Sequence, residues 1–205
     1  MKKIIIRPEK HPENPRSNDN LGVMVCFHNR YDLGDSHHTY TQNNYSSWKE
    51  LSKAILNDHE VCAILPLYLY DHSGISMTTS DFHDRWDSGI VGFIYMTTEK
   101  AVDNWGESDY VEKAKVCLKA EVIEYDQYLR NEVYEFQIVE EVEMVSMTKQ
   151  DWEAGNCDNI EHFTEDVEVD SCAGFYGEDW FNNGMSDHIP EELHEQLKTI
   201  EITYG

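Results

Sequence analysis

The chain has 205 residues, and its 40 acidic and 16 basic residues give a formal net charge of −24 at pH 7. Aromatic residues make up 12% of it, which excludes an intrinsically disordered chain, because such chains are poor in aromatic side chains. The excess of carboxylates repels nucleic acid and membrane surfaces and attracts basic clefts.

The first elements predicted are two strands and a helix. A short apolar strand covers residues 3–6, and the continuous apolar run at 21–28 is typical of a buried strand. Ser47 followed by Glu50 forms a capping box, which predicts a helix over 48–57.

Two long apolar runs in the middle of the chain, at 61–70 and 89–96, predict two central strands. Pro66 lies in the first run, and we expect it at an edge or a bulge because proline cannot donate to a strand ladder. The connection contains two polar elements that end in glycine, Asp71-His72-Ser73-Gly74 and Asp84-Arg85-Trp86-Asp87-Ser88-Gly89.

Helices are predicted in three places after the central strands. Thr98 caps a short helix that ends near Trp105, and Pro190 starts another that reaches Lys198. Ser108 opens the clearest helix of the chain, because apolar residues recur there at spacings of three and four, at Val111, Ala114, Leu118, Val122, Tyr125 and Leu129.

The strands predicted in the C-terminal part follow from alternation. Residues 134–138 alternate, and 142–146 extend this strand after a bulge, while further strands are expected at 167–176 and 199–204. Residues 149–168 are acidic and show no firm periodicity. The order of elements predicts a single α+β domain over 1–205, with a mixed, mainly antiparallel sheet and about four helices.

The cysteines indicate a reducing compartment. The chain has five, an odd number without the Cys-x-x-Cys spacing, and most lie in apolar runs where a free thiol behaves as a small buried side chain. Cys172 in Asp170-Ser171-Cys172-Ala173-Gly174 suggests a nucleophile, but its strand pattern favours an inert core thiol. No apolar run reaches the ~20 residues of a membrane span, so we expect a cytoplasmic protein without membrane contact.

Four residues at the predicted strand ends are candidate catalytic groups. An Asp beside a His can orient an imidazole as a general base, which suggests a site built from His28, Asp71, His72 and Asp87. Adjacent residues in an extended strand point to opposite faces, however, so Asp71 is not expected to pair with His72. The same residues are typical of a hydrogen-bonded turn, which we prefer over catalysis.

Metal-ligating residue types are frequent in the same region but lack a recognised spacing. No pair has the spacing of a zinc-binding helix or of a Cys-x-x-Cys knuckle, so no metal and no cofactor are predicted. The residues considered are His28, Asp32, Asp35, His37, His38, Asp71, His72, His83, Asp84 and Asp87.

The charge is concentrated in the C-terminal portion, 132–205. This portion has 20 acidic residues and only two cations, Lys149 and Lys198, so direct phosphate binding through it is not expected. A solvated surface and a mimic of nucleic acid explain the charge equally well. The mimic would bind its partner through Glu140, Glu141, Glu143, Asp151, Trp152, Glu153, Glu161, Glu165, Asp166 and Glu168.

Several long segments resemble one family of proteins. They are NPR at 14–16, CFHNRYDLGD at 26–35, LPLYLYDHSGI at 65–75, WDSGIVGFI at 86–94 and DSCAGFYG at 170–177. Spread over nearly the whole chain, they resemble acidic proteins carried by bacteriophages and mobile elements, mostly of Gram-positive hosts. That family is associated with phage counter-defence and with inhibitors of type II CRISPR nucleases (anti-CRISPR proteins).

The resemblance implies an inhibitor that docks on a basic, nucleic-acid-binding surface of a host defence nuclease in the host cytoplasm. Cas9, with or without guide RNA, is such a partner. No cofactor and no catalytic residue follow from the resemblance. The alternative, drawn from the polar strand ends, is a small metal- or His/Asp-dependent nuclease or hydrolase that acts on guide RNA or other nucleic acid.

Overall fold

The computed structural model describes residues 2–82, 87–155, 157 and 160–204. Its strands are β1 (Lys2–Pro8), β2 (Val23–Cys26), β3 (Val61–Asp71), β4 (Ile75–Thr78), β5 (Ser88–Thr97), β6 (Val133–Ser146) and β7 (Glu161–Tyr176). Its α-helices are α1 (Trp48–Asp58), α2 (Thr98–Trp105), α3 (Tyr110–Leu129), α4 (Lys149–Ala154) and α5 (His194–Leu197). The α+β class with mainly antiparallel strands is confirmed, and the strands are divided over two sheets.

Two compact units make up the chain, one formed by Glu13–Glu132 and the other by Met1–Pro12 with Val133–Gly205. Each unit has its own sheet and its own apolar core. The organisation as a single domain over 1–205 stays a prediction. Within the described residues, no helix combines the length and the apolar composition that crossing a membrane requires.

The unit Glu13–Glu132 is built on a sheet with the strand order β2-β5-β3-β4. Side chains alternate along β5, because successive residues of a strand point to opposite faces. Ile94 and Met96 pack in one apolar cluster with residues of α3, and Phe93 and Tyr95 pack in another with residues of α1. The sheet is therefore the middle of three layers.

Two of the three helices predicted in this unit, α1 and α3, show how local patterns indicate a helix. The Ser47 hydroxyl accepts a hydrogen bond from the Glu50 amide at 3.3 Å, and α1 begins at the next residue, Trp48. In α3 the buried residues belong to the predicted stripe. This helix begins at Tyr110 rather than at Ser108, because Asp109 before it has a left-handed backbone with φ 58°.

Pro66 lies where a strand can accept a proline. It pairs with Phe93 of β5, whereas β4 pairs only with the Tyr68–Asp71 part of β3. A register shift follows between Leu67 and Tyr68. Within the described residues, the part of β3 that contains Pro66 is therefore paired with one strand only. This agrees with the edge position predicted for the proline.

The unit formed by the two chain ends has the strand order β1-β6-β7. One face of this sheet is apolar, through Ile4, Ile6, Phe136 and Ile138, and helical segments from the C-terminal end cover it with Met185, Ile189, Leu193 and Leu197. The alternation predicted for β6 is confirmed, because β6 runs to Ser146. The bulge predicted within it is wrong, because at the register shift between Ile138 and Val139 the extra residue, Val169, belongs to β7.

Of two predictions near the C-terminus, the strand at 199–204 is wrong, whereas the helix from Pro190 to Lys198 is confirmed in its position. Residues 199–204 form no strand, since only Ile202 makes an isolated parallel bridge, to Ile6. One edge of β1 is paired with β6. On the other edge the Thr203 amide donates to the Ile6 carbonyl at 2.8 Å. One such backbone hydrogen bond does not make a ladder. The helix predicted after Pro190 is one 3₁₀ turn, Glu191–Leu193, followed by the single-turn α5.

Candidate functional site

A two-stranded hairpin extends from the sheet of the second unit. Within the described residues, β1 pairs with β6 up to Glu140, and β6 and β7 are paired further, up to Ser146 and Glu161. We call residues 140–168 the arm. Beyond Glu140 its strand residues are exposed on both sides. An isolated two-stranded hairpin is marginal in water, so the arm depends on the three-stranded base for its register.

One face of the arm is acidic. Residues directly opposite each other in an antiparallel pair have their side chains on the same face. Glu141 lies opposite Asp166, Glu143 lies opposite Thr164, and Glu168 lies opposite Val139 on this same face. We call these four carboxylates, Glu141, Glu143, Asp166 and Glu168, the acidic face.

The other face of the arm carries large apolar side chains. Met144 lies opposite Phe163, while Val142 and Val167 lie opposite Glu165 and Glu140, respectively. We call Val142, Met144, Phe163 and Val167 the apolar face, and their exposed fractions lie between 37% and 45%.

Few cations lie near the acidic face. Lys3 is 3.4 Å from an Asp166 oxygen, and the Nδ1 of His162 is 3.9 Å from a Glu143 oxygen, both pairs being partly exposed. Hydrogen bonds from Ser171 (2.8 Å) and from Gln137 lower the pKa of the Glu168 carboxyl. Glu168 is therefore ionised at neutral pH. The acidic face is negative under physiological conditions.

The helix α4 lies at the end of the arm and presents an exposed tryptophan. The Thr148 hydroxyl accepts a hydrogen bond from the Asp151 amide at 3.1 Å, and Gly155 with φ 67° ends the helix. The Trp152 side chain is 73% exposed between Asp151 and Glu153. The sequence analysis missed this helix, although the Thr148 cap and the glycine seven residues later were visible.

All ten of the predicted partner-binding residues lie on the arm, but not on one surface. Glu141, Glu143, Asp166 and Glu168 form the acidic face, whereas Glu140, Glu161 and Glu165 lie on the side of the apolar face. Asp151, Trp152 and Glu153 belong to α4. Strand alternation separates residues that the charge pattern had grouped.

The predicted catalytic element Asp71-His72-Ser73-Gly74 forms the turn between β3 and β4. Ser73 and Gly74 have φ values of 58° and 146°, and the His72 amide donates to the Gly74 carbonyl at 3.1 Å. The strand β4 that follows was not predicted. The Nδ1 of His72 lies 3.5 Å from an Asp87 oxygen, and the Asp71 amide donates to the Asp87 carbonyl at 2.9 Å.

Asp71 has partners other than His72, as strand geometry predicted. Its carboxylate accepts hydrogen bonds from Arg30 and, at 3.1 Å, from the Tyr31 hydroxyl. The His28 ring stacks on Tyr31 with centroids 4.9 Å apart, and its Nδ1 accepts from the Arg30 amide at 3.3 Å. Arg30 and Tyr31, and not His72, therefore hold the Asp71 carboxylate.

A cavity of about 440 Å³ lies beside the turn and is lined by Tyr70, His72, Ser76, Arg130 and Glu132 among others. Within the described residues, no three His, Cys, Asp or Glu side chains are grouped so that they could hold a metal ion. His83 and Asp84 of the predicted set lie outside these residues. The arrangement contains one His–Asp pair, between His72 and Asp87.

Cys172 lies in β7 opposite Phe136 and is packed, partly buried, against the apolar core of its unit. Its position in a strand agrees with the expected structural role. It is less deeply buried than predicted, because β7 is an edge strand with a register shift beside this residue.

A buried ion cluster in the unit Glu13–Glu132 was missed by the sequence analysis. The Arg16 guanidinium, with a side chain only 2% exposed, donates to both Asp35 oxygens at 2.7 and 3.0 Å and to a Glu121 oxygen at 2.8 Å. Asp35, considered above as a metal ligand, is therefore an arginine partner. Arg16 is separated in sequence by 19 residues from Asp35 and by 105 from Glu121, so no local pattern indicates these contacts.

Comparisons of the chain with protein-family models, with curated proteins and with solved structures gave no match. The membership in an anti-CRISPR family therefore stays a prediction from the segments quoted above. The function is argued below from the charge and geometry of the arm.

Proposed function

We propose that the protein is a phage-type counter-defence inhibitor that binds a basic, nucleic-acid-binding surface of a host defence nuclease of the type II CRISPR class. The acidic face of the arm makes the contact and takes the place of a nucleic-acid backbone. The observation that supports this is the one-sided arrangement of four carboxylates on a ribbon whose residues 140–168 contain ten acidic residues and one lysine.

The spacing of these carboxylates resembles that of a phosphate backbone. Residues two apart on a strand are roughly 7 Å apart, so the three rows of the acidic face span on the order of 14 Å. Four charges over that length amount to about one per 4–5 Å, against ~3.4 Å for each DNA strand. A cleft whose lysines and arginines are spaced for phosphates therefore meets a comparable line of negative charge.

Such a contact is expected to weaken with salt. The apparent affinity of the protein for a guide-loaded type II CRISPR nuclease should fall roughly tenfold between about 50 and 200 mM salt, because screening shortens the range of the attraction to ~8 Å. Titration calorimetry at several salt concentrations measures this. Target DNA should compete with the protein, and simultaneous binding of both, or affinity independent of salt, contradicts the proposal.

A second candidate is hydrolysis of guide RNA or DNA, supported by the His72–Asp87 pair at 3.5 Å beside the cavity. This candidate predicts cleavage by the wild type that is lost in His72→Ala and kept in the control His11→Ala. Gel electrophoresis after incubation with and without a chelator tests it. Intact substrate in every lane, or cleavage that persists in His72→Ala, rules out this site.

A further inference from the structure

The apolar face of the arm continues the core-facing side of its sheet. Along β6, Phe136 and Ile138 are buried under the C-terminal helical segments, and Val142 and Met144 follow on the same side at the same period of two. From Val142 onward the side chains are more than a third exposed. The face therefore has the apolar composition of a protein core, although its side chains are exposed.

A purely electrostatic arm would not require these residues. Exposed apolar side chains on a two-stranded ribbon create a risk of aggregation, and neighbouring apolar groups of this kind mark interaction surfaces. Met144 and Phe163 lie directly opposite each other, so their side chains are neighbours at the centre of the face.

The charges that border the apolar face indicate its partner. Glu140, Glu161 and Glu165 lie on the same side of the ribbon as Met144 and Phe163. Lys2 of β1 lies opposite Glu140 on this side, and Lys149 is 3.8 Å from Glu153 on α4, so that carboxylates outnumber lysines along this border. Two copies of this chain docked through the apolar face would bring these carboxylates together, and like charges across an interface are unfavourable.

We infer that the apolar face is a second docking surface, which binds an apolar patch bordered by Lys or Arg side chains on the same nuclease that the acidic face meets. This rests on the proposed function, since both faces of one ribbon then lie in one cleft. The two faces contribute differently. Charges control association and its salt dependence, whereas buried apolar contacts chiefly slow dissociation.

The test compares the removal of two exposed apolar side chains on the arm with the removal of two outside it. Met144→Thr/Phe163→Thr removes the centre of the apolar face while keeping residues that favour strands. The control, Val116→Ala/Ile123→Ala, removes two exposed apolar side chains of α3, in the other unit, while keeping residues that favour a helix. With guide-loaded nuclease, the first variant should bind about 30-fold more weakly with an unchanged salt slope. The control should stay within about threefold of the wild type, because it leaves both faces of the arm intact.

A second probe separates this inference from the proposed function. Short peptides of alternating Lys and Leu should bind the wild type more tightly than alternating Lys and Ser peptides, and Met144→Thr/Phe163→Thr should abolish the preference. If the wild-type protein does not bind the nuclease, the proposed function is wrong. The comparison of the two peptides then decides by itself whether the apolar face is a docking surface. Equal binding of both peptides overturns it.

Two other results also decide the inference. Unchanged nuclease binding by Met144→Thr/Phe163→Thr, while charge reversal on the acidic face abolishes binding, overturns it and leaves the proposed function standing. A dimer in sedimentation that this variant dissociates also overturns it, in favour of a second copy. Circular dichroism establishes that each variant is folded, and the single change Met144→Gln replaces the double variant if that one is not.

Discussion

Reversing three charges on the acidic face, in Glu141→Lys/Glu143→Lys/Asp166→Lys, is expected to weaken binding to a guide-loaded type II CRISPR nuclease by about 10²–10³-fold. The variant changes the arm by six unit charges, and partly exposed charge pairs are worth ~0.2–1 kcal/mol each. The fold should be unaffected, because Glu141 and Asp166 are directly opposite like charges before and after the change. Calorimetry and inhibition of target-DNA cleavage both measure the effect.

The matched control changes the net charge equally at another surface of the same unit. Glu191→Lys/Glu192→Lys/Glu201→Lys alters three exposed positions outside the arm, and its affinity should remain within about threefold of the wild type, since only long-range attraction changes. Equal losses in both variants would show that net charge, and not the acidic face, is responsible. Unchanged binding in the first variant would contradict mimicry.

The second prediction concerns stability. Arg16→Met should lower the free energy of unfolding by about 3–5 kcal/mol, because it leaves two partly buried carboxylates without their cation. The side chains of Asp35 and Glu121 are only 15% and 12% exposed, and Arg16 also donates to the Gly22 carbonyl at 2.8 Å. Urea denaturation, followed by aromatic fluorescence, measures the loss.

Two further variants identify the cause of that loss. Arg30→Met removes an arginine whose side chain is 67% exposed in its pair with Asp71, and it should cost less than about 1 kcal/mol. Adding Asp35→Asn and Glu121→Gln to Arg16→Met should recover part of the stability, since no buried charge then lacks a partner. A loss in Arg16→Met no larger than in Arg30→Met would contradict a structural role of the cluster.

Much of the local structure was predictable because its causes are local. The cap at Ser47 determines where α1 begins, and the spacing of apolar residues in α3 determines which of its faces is buried. The alternation in β6 identifies a strand, whereas the bulge expected in it lies on the partner strand β7. The tight turn at Asp71–Gly74 was the preferred interpretation, and the described hydrogen bonds agree with it.

Other features depend on strand pairing and on residues far apart in the chain. The cluster around Arg16 joins residues up to 105 positions apart, and the strand expected at 199–204 lacks a ladder to join. The turn residue His72 lies near Asp87 because β5 begins beside the end of β3. Sequence patterns do not specify these neighbours.

The strongly negative charge of the C-terminal portion follows from composition alone. How that charge is presented depends on strand pairing and packing. The pairing of β6 with β7 places Asp166 and Glu168 on the face of Glu141 and Glu143. The C-terminal helical segments cover the sheet at Ile138, whereas the strand side chains of the arm from Val142 onward are exposed. Register and strand length arise from contacts between distant segments, so an acidic stretch became a ribbon with two chemically different faces.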